Sequence, residues 1–285
     1  MAKERIAVIT GGSSGIGLVT AVELALNGYR MVATMRDLGR SVKLEEAAAK
    51  AGVRDRLDLR RIDITETDSL NPAVDAVVHD YGRIDVLVNN AGFSCAGFAE
   101  DISLAELRQQ METNFFGNVA MTKAMLPVMR KQQSGHIIQV SSVGGRASAP
   151  LLSSYNASKF ALEGWSEALR IEVRSVGIRV VLIEPGDYDT DIWGRNVVIA
   201  KGALDPGSPN KERSQRFAEF VKSRASQRRD PREVARLIVR VAQNPDPRLR
   251  YLVGPDAKMH LFARAVMPWR RYERMVARIT RIDER

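Results

Sequence analysis

The sequence holds a single cysteine, Cys95, in 285 residues. No internal disulfide can form, and no cysteine-based metal cluster can be assembled. His79, His136 and His260 are too scattered to make up a metal set, so none is expected. Cys95 has no basic sequence neighbour to lower its pKa and reads as a small buried apolar residue. Long hydrophobic runs are also missing: none approaches the roughly 20 residues of a membrane helix. The start, Met1 to Arg5, passes into the short apolar run Ile6 to Ile9 with no cleavage site behind it, which makes a cytoplasmic address the default expectation. Negative charge is in short supply, with 34 acidic against 43 basic residues and a net charge of +9. Such an excess attracts anions. Much of it lies in Lys211 to Arg232 and Lys258 to Arg285, on helix-like sequence without the interleaved aromatics of a single-strand binder. These stretches read first as solvated helix faces and second as contacts for an anionic substrate or membrane surface. No nucleic-acid partner is expected.

What is present is an alternation of short β-branched runs with longer amphipathic segments, the pattern of βαβ units and a parallel sheet. Strands are expected near 5–10, 30–35, 57–62, 84–89, 136–141, 178–184 and 250–253, and helices over 16–27, 41–51, 67–81, 103–131, 155–175 and 231–243. The apolar runs are nearly continuous, as in strands covered on both faces. The fold class is therefore α/β, a doubly wound Rossmann sheet of seven strands within residues 1–257. Ser103 and Glu106 form a capping-box pair, and Pro127 is expected to bend or break the last turn of its helix. Residues from about 190 to 230 carry Gly194, Gly202, Pro206, Gly207 and Pro209 and are read as a substrate lid. Residues 258–285 are read as a basic amphipathic helical extension that docks on the domain, covers a partner's pocket or lies on an anionic membrane surface.

The first strand runs into Thr10-Gly-Gly-Ser-Ser-Gly15-Ile-Gly17 and then into helical periodicity. Strand, glycine turn and helix in that order cradle a pyrophosphate, because glycine lets the backbone approach and the helix presents unpaired amides and a positive dipole end. Further along stand Asp63, Asn89-Asn90-Ala91-Gly92, Asn114, Ser142, Tyr155-Asn-Ala-Ser-Lys159, and Pro185-Gly186 with Thr190. In order and spacing this set resembles the short-chain dehydrogenase/reductase family over residues 5 to 190, with no departure at these positions. The resemblance implies strand order 3-2-1-4-5-6-7 and a nicotinamide cofactor held by Gly11, Ser13, Ser14, Gly15, Ile16, Gly17, Arg36, Asp63, Ile64, Asn90, Ala91, Gly92, Tyr155, Lys159, Pro185, Gly186, Tyr188 and Thr190. It also implies catalysis by Asn114, Ser142, Tyr155 and Lys159, with Asn114 holding a relay water and hydride transfer on the B face. A homodimer or homotetramer paired through the helices carrying Asn114 and Tyr155 is expected on the same ground.

The residue types support that chemistry. A phenol with pKa near 10 is a poor base at neutral pH. Lys159, one helical turn from Tyr155, would favour the phenolate by about 2 to 3 kcal/mol at roughly 6 Å and an effective dielectric near 20. At the end of the second strand, where NAD-preferring enzymes place an acid, the sequence reads Met35-Arg36, and a guanidinium suits a 2′-phosphate. NADP(H) is therefore favoured over NAD(H). The expected reaction moves hydride between the nicotinamide and a ketone or secondary alcohol; an NAD-dependent secondary alcohol dehydrogenase working oxidatively is the alternative. Phe93, Val143, Leu152 and Trp193, together with Phe98, Leu151, Tyr188 and Ile192, suggest an apolar pocket for a steroid-, retinoid- or polyketide-like substrate. Arg146 and Arg195 are read near its mouth.

Overall fold

The computed structural model describes residues 4–283, so the outermost residues of the expected ranges 1–257 and 258–285 lie outside it. In chain order the strands are β1 (Arg5–Thr10), β2 (Tyr29–Met35), β3 (Leu57–Arg61), β4 (Val86–Asn89), β5 (Ser94–Ala96), β6 (Gly135–Val140), β7 (Ile178–Pro185), β8 (Val197–Ile199) and β9 (Arg250–Val253). The α-helices are α1 (Gly15–Leu26), α2 (Val42–Lys50), α3 (Leu70–Tyr81), α4 (Leu104–Met111), α5 (Asn118–Gln132), α6 (Ser153–Val173), α7 (Lys211–Ser223), α8 (Arg232–Gln243), α9 (Pro255–Val266) and α10 (Trp269–Thr280).

Seven strands form one parallel sheet in the order β3-β2-β1-β4-β6-β7-β9, the expected order once β5 and β8 are set aside. Those two make a separate parallel pair, Ser94 to Ala96 against Val197 to Ile199, which three-residue runs inside loops do not announce. Each face of the large sheet carries its own core. One packs Leu24 of α1, Leu44 of α2 and Ile238 of α8 on Ile9, Met31 and Ile183. The other packs Val74 of α3, Met121 and Met125 of α5 and Leu169 of α6 on Val8, Leu87 and Ile137. Burial on both faces is why the strands read as unbroken apolar runs. The chain order reverses between β1 and β4, both hydrogen-bonded neighbours in the sheet, and the crevice at their carboxyl ends is where open α/β sheets bind ligands.

Three helical expectations need correction. The helix expected over 103–131 is two helices joined by a π-helical turn at Glu112–Gly117. Pro127, by contrast, breaks nothing, because α5 runs on to Gln132. Pro127 and Lys123, whose carbonyl loses its helical donor, both lie on the exposed face, where water replaces the missing bond. The Ser103–Glu106 capping box forms as expected at the start of α4. The C-terminal extension is a pair of helices hinged at Met267-Pro268, not one helix, since Pro268 cannot continue α9. Among the described residues, no helix is long and apolar enough to cross a membrane.

Candidate active site

A cavity of about 1080 Å³ opens along the carboxyl edge of the sheet. Its floor is the glycine turn between β1 and α1. Gly11 has φ +67°, and a Cβ there would come within 2.9 Å of Ala91 Cα. At Gly17 a Cβ would lie 2.2 Å from the Gly11 carbonyl oxygen and 2.4 Å from Asn90 Nδ2, which only a hydrogen at that position avoids. The turn is tied to the end of β4. The Thr10 hydroxyl accepts the amides of Asn90 and Ala91, each at 3.0 Å, while Asn90 Nδ2 donates to the carbonyls of Thr10 and Gly11. Asn90 is thus a clamp on the turn. Ser13, Ser14, Gly15 and Ile16 line the cavity with Gly11; Gly17 does not, because it is the contact where helix meets turn.

On the β2–β3 side the wall consists of Met35, Arg36, Asp37, Arg40, Asp63 and Ile64. The Asp37 carboxylate is engaged by other partners than Arg36. It accepts the Gly39 amide at 2.9 Å and pairs with Arg40 at 3.6 Å. Arg36 is exposed and makes no ion pair among the described residues. One Asp63 oxygen is taken by the amide and hydroxyl of Thr65.

At the centre stand Ser142, Tyr155 and Lys159. A Cβ on Gly144 would lie 3.4 Å from both Ser142 Oγ and Tyr155 Cε1, so this glycine lets the two side chains converge. Ser142 Oγ accepts the Gly144 amide at 3.0 Å, which leaves its proton free for a donor bond. The hydroxyl holds the Tyr155 phenol down, but burial is the larger effect and keeps that phenol above its ordinary pKa. The depression expected from Lys159 does not overcome that burial. Lys159 Nζ is 5.8 Å from the ring centroid and is itself desolvated, which lowers it to about 8. Its ammonium donates to the Val140 carbonyl at 2.8 Å.

Behind Lys159 lies a buried charge cluster that sequence reasoning missed. Glu163, the next turn of α6, is buried and raised to about 7 by desolvation, and its charge helps hold Lys159 protonated. Arg250 on β9 bonds Glu163 at 3.0 Å and Glu167 at 2.6 Å and pairs with the fully buried Glu184 of β7 at 3.0 Å. Arg146, expected at the mouth, instead binds Glu184 at 3.2 Å. The signal available was Glu163 four residues after Lys159, which places both on one helix face.

Asn114 sits in the π-helical turn, fully buried. Its Oδ1 accepts the Phe93 amide at 3.0 Å, and its Nδ2 donates to the Phe93 carbonyl at 3.0 Å and to Ser158 Oγ at 3.2 Å. Both ends of the amide are engaged, so a relay water would not hang on a free side chain here. The side chain fixes the loop after β4 against α6, and the extra residue of the π turn is what aims it there.

The remaining wall is apolar. Phe93, Val143, Leu152, Ile192 and Trp193 line the cavity as expected, whereas Phe98 and Leu151 do not. Phe98 stacks under the Arg213 guanidinium at 4.4 Å. Leu151 takes φ +61°, with its carbonyl held by the Gly97 amide, and so presents Leu152 to the cavity in its place. Tyr188 is 2% exposed and donates to Glu233, so its ring belongs to the core, leaving backbone as what it offers the cleft. Arg195 is paired with Asp191. The segment after β8 adds Phe217, Phe220 and Val221 from α7, and the C-terminal pair adds Met259 and Ala263 of α9 and Met275, Val276 and Ile279 of α10. The extension thus walls its own chain's cavity. Asp256 of α9 accepts the Asp187 amide at 2.7 Å, which fastens it beside Pro185-Gly186. Thr190 packs against Gly15, and Asn196 reaches Ser14, so the segment after β7 closes over the glycine turn. Cys95 is buried, with its thiol pushed up by desolvation, as a structural residue should be.

The family model described as short chain dehydrogenase matches residues 5–197. An uncharacterized oxidoreductase, YusZ, of Bacillus subtilis is 39% identical over 271 residues, covering 95% of this chain and 96% of that protein. A 3-ketodihydrosphingosine reductase of Bacteroides thetaiotaomicron is 36% identical over 92% of this chain and 91% of its own length. Retinol dehydrogenase 8 of Homo sapiens is 38% identical over 87% and 81%. Among solved structures, a short-chain dehydrogenase from Streptomyces avermitilis superposes with a TM-score of 0.81 at 30% identity, over 99% of this chain and 100% of that one. A metagenomic short-chain oxidoreductase in complex with NADP gives 0.69 at 26% identity over 88% and 97%. With its sheet order, glycine turn and Ser142, Tyr155 and Lys159 set in one cleft, the chain belongs to the short-chain dehydrogenase/reductase family of oxidoreductases.

Proposed function

We propose that the protein is an NADP(H)-dependent reductase of apolar ketones, with Ser142, Tyr155 and Lys159 as its catalytic residues. The observation that carries the cofactor preference is at the end of β2. Asp37, the acid that could serve ribose hydroxyls, is committed to Gly39 and Arg40, while the Arg36 fork is unpaired at the cavity wall. An unpaired guanidinium binds a 2′-phosphate with charge-assisted bonds. The glycine cradle fits the pyrophosphate, since a Cβ at Gly11 or Gly17 would fill it or push the helix away.

When bound, the nicotinamide supplies the hydride for reduction or accepts it in oxidation. The chain's own groups handle the oxygen. Ser142 donates a hydrogen bond to the substrate oxygen, and Tyr155 passes its phenolic proton to that atom as the carbonyl becomes an alcohol. Burial keeps Tyr155 protonated, the state from which it donates in reduction. Lys159, held cationic by Glu163, stabilises the phenolate left behind. Asn114 acts as a positioning residue through Phe93 and Ser158. Phe93, Val143, Leu152 and Trp193, joined by the lid and C-terminal side chains, favour a largely hydrocarbon substrate. The names of two relatives, with 3-ketodihydrosphingosine and retinol in them, agree with that class.

Titration with NADPH and NADH by quenching of intrinsic fluorescence tests the cofactor assignment. NADPH should bind more tightly, and Arg36→Ala should weaken it by about tenfold, or 1.4 kcal/mol, with NADH unchanged. Equal binding of both, insensitive to Arg36, would overturn the assignment.

A further inference from the structure

The C-terminal helix pair is more apolar outside than its packing requires. Phe262 and Val266 of α9 and Trp269 at the start of α10 are 68, 58 and 57% exposed, and none of them lines the cavity. Met259 and Ile279, 71 and 53% exposed, do line it, so the outer apolar surface is continuous with the cavity mouth. Interleaved with this surface is unneutralised positive charge. Lys258, Arg264, Arg270, Arg271, Arg274 and Arg278 make no ion pair among the described residues. The Arg264 guanidinium instead lies 4.8 Å over the Trp269 ring.

An exposed apolar face rimmed by basic side chains is built for the boundary between lipid headgroups and acyl chains. A second copy of this chain fits it poorly: a two-fold interface would set the same unpaired arginines against one another. A nucleic acid would use the charge but leave Phe262 and Val266 without a role. We propose that α9 and α10 seat the protein on an anionic lipid surface, with the cavity mouth facing the acyl region from which an apolar substrate enters. This rests on the apolar-substrate reading above, but vesicle binding itself is read without cofactor or substrate.

The test is flotation of the full chain with phosphatidylcholine vesicles, with and without phosphatidylglycerol, at low and high salt. The chain should float only with the phosphatidylglycerol vesicles and be released by salt. Phe262→Ser with Val266→Ser should cut binding by tenfold or more, and each of Arg271→Gln and Arg278→Gln by about fivefold, the worth of one basic side chain near an anionic surface. NADPH binding should stay unchanged in all of them, showing that the fold is intact. The proposal is overturned if the wild-type chain floats with neither vesicle, or with both alike. It is also overturned if the Phe262 and Val266 changes leave flotation intact, or if they lower the molecular mass seen by light scattering, which would make the face a contact between copies. Salt-sensitive oligonucleotide binding that outcompetes the vesicles would overturn it as well. A wild-type chain that reduces an apolar ketone but does not float would refute the lipid seat alone; one that floats as expected but reduces no apolar ketone would refute the reductase reading alone.

Discussion

The cleft joins two regions built on different principles. From β1 to the end of β7, the chain approaches the cofactor side through backbone: glycines with no room for a methyl, amides clamped by Thr10 and Asn90, strand ends fixed by the sheet. From residue 191 onward, the substrate side is made of side chains on short helices, held by pairs such as Arg228 with Asp187 at 3.4 Å and Arg213 with the Ile282 carbonyl at 3.1 Å. The lesson is one of tolerance. A backbone cradle fails when one atom is added, whereas a wall of side chains changes its selectivity and still stands.

The sharpest way to separate chemistry from both regions is Tyr155→Phe, which keeps the ring and removes the proton. Turnover of an apolar ketone should fall about 10² to 10⁴-fold, while NADPH binding stays within about twofold. Gly17→Ala probes the cradle. The added carbon must displace the Gly11 carbonyl or Asn90, at an expected cost of about 3 kcal/mol, seen as a lowered Tm and loss of binding to NADPH and NADH together. If Gly17→Ala bound cofactor normally, the contrast drawn above would collapse. Phe217→Ala is the matching change on the other side. It should raise KM for an apolar ketone by roughly tenfold, a loss of about 1.4 kcal/mol, and leave NADPH affinity untouched; a fall in cofactor affinity instead would mean that the lid is part of the cradle.

The smallest expected effect concerns the charge cluster behind Lys159. Glu163 is raised to about 7 in the fold, so its contribution to stability is present below its unfolded pKa and lost as pH rises through 7. Lys159 is lowered to about 8, so its contribution is present above its unfolded pKa and lost as pH falls through 8. Both buried groups are charged together between about 7 and 8. Melting the protein from pH 5 to 7.5 should show stability falling by on the order of 1 kcal/mol, and Glu163→Gln should flatten that slope. A slope unchanged in the variant would move the titration elsewhere.

Most of the sheet and the glycine turn were legible in the sequence because both are local. Short, continuous β-branched runs between turn signals suit strands covered on two faces, and a glycine turn between strand and helix has few other uses. Ser142, Tyr155 and Lys159 were legible for a related reason, since one helical turn and one strand end bring them together. The helix interruption at Glu112–Gly117 was not, because it answers to Phe93 and Ser158, both distant in sequence from Asn114. Nor was the partnership of Glu163 with Glu184 and Arg250, three residues from three elements that meet only when α6 packs on the sheet where β7 and β9 lie side by side.

By itself, then, the sequence determined the parallel sheet, the glycine turn and the gathering of Ser142, Tyr155 and Lys159 in one cleft, since each depends on spacing within a strand, a helix or a turn. The tertiary structure alone decided that Phe98, Leu151 and the Tyr188 ring leave the cavity wall, that Asp37 leaves Arg36 unpaired, that burial outweighs Lys159 in setting the Tyr155 phenol, and that α9 and α10 wall their own chain's cleft. Those outcomes depend on desolvation and on contacts between segments far apart in the chain, and periodicity carries no information about either.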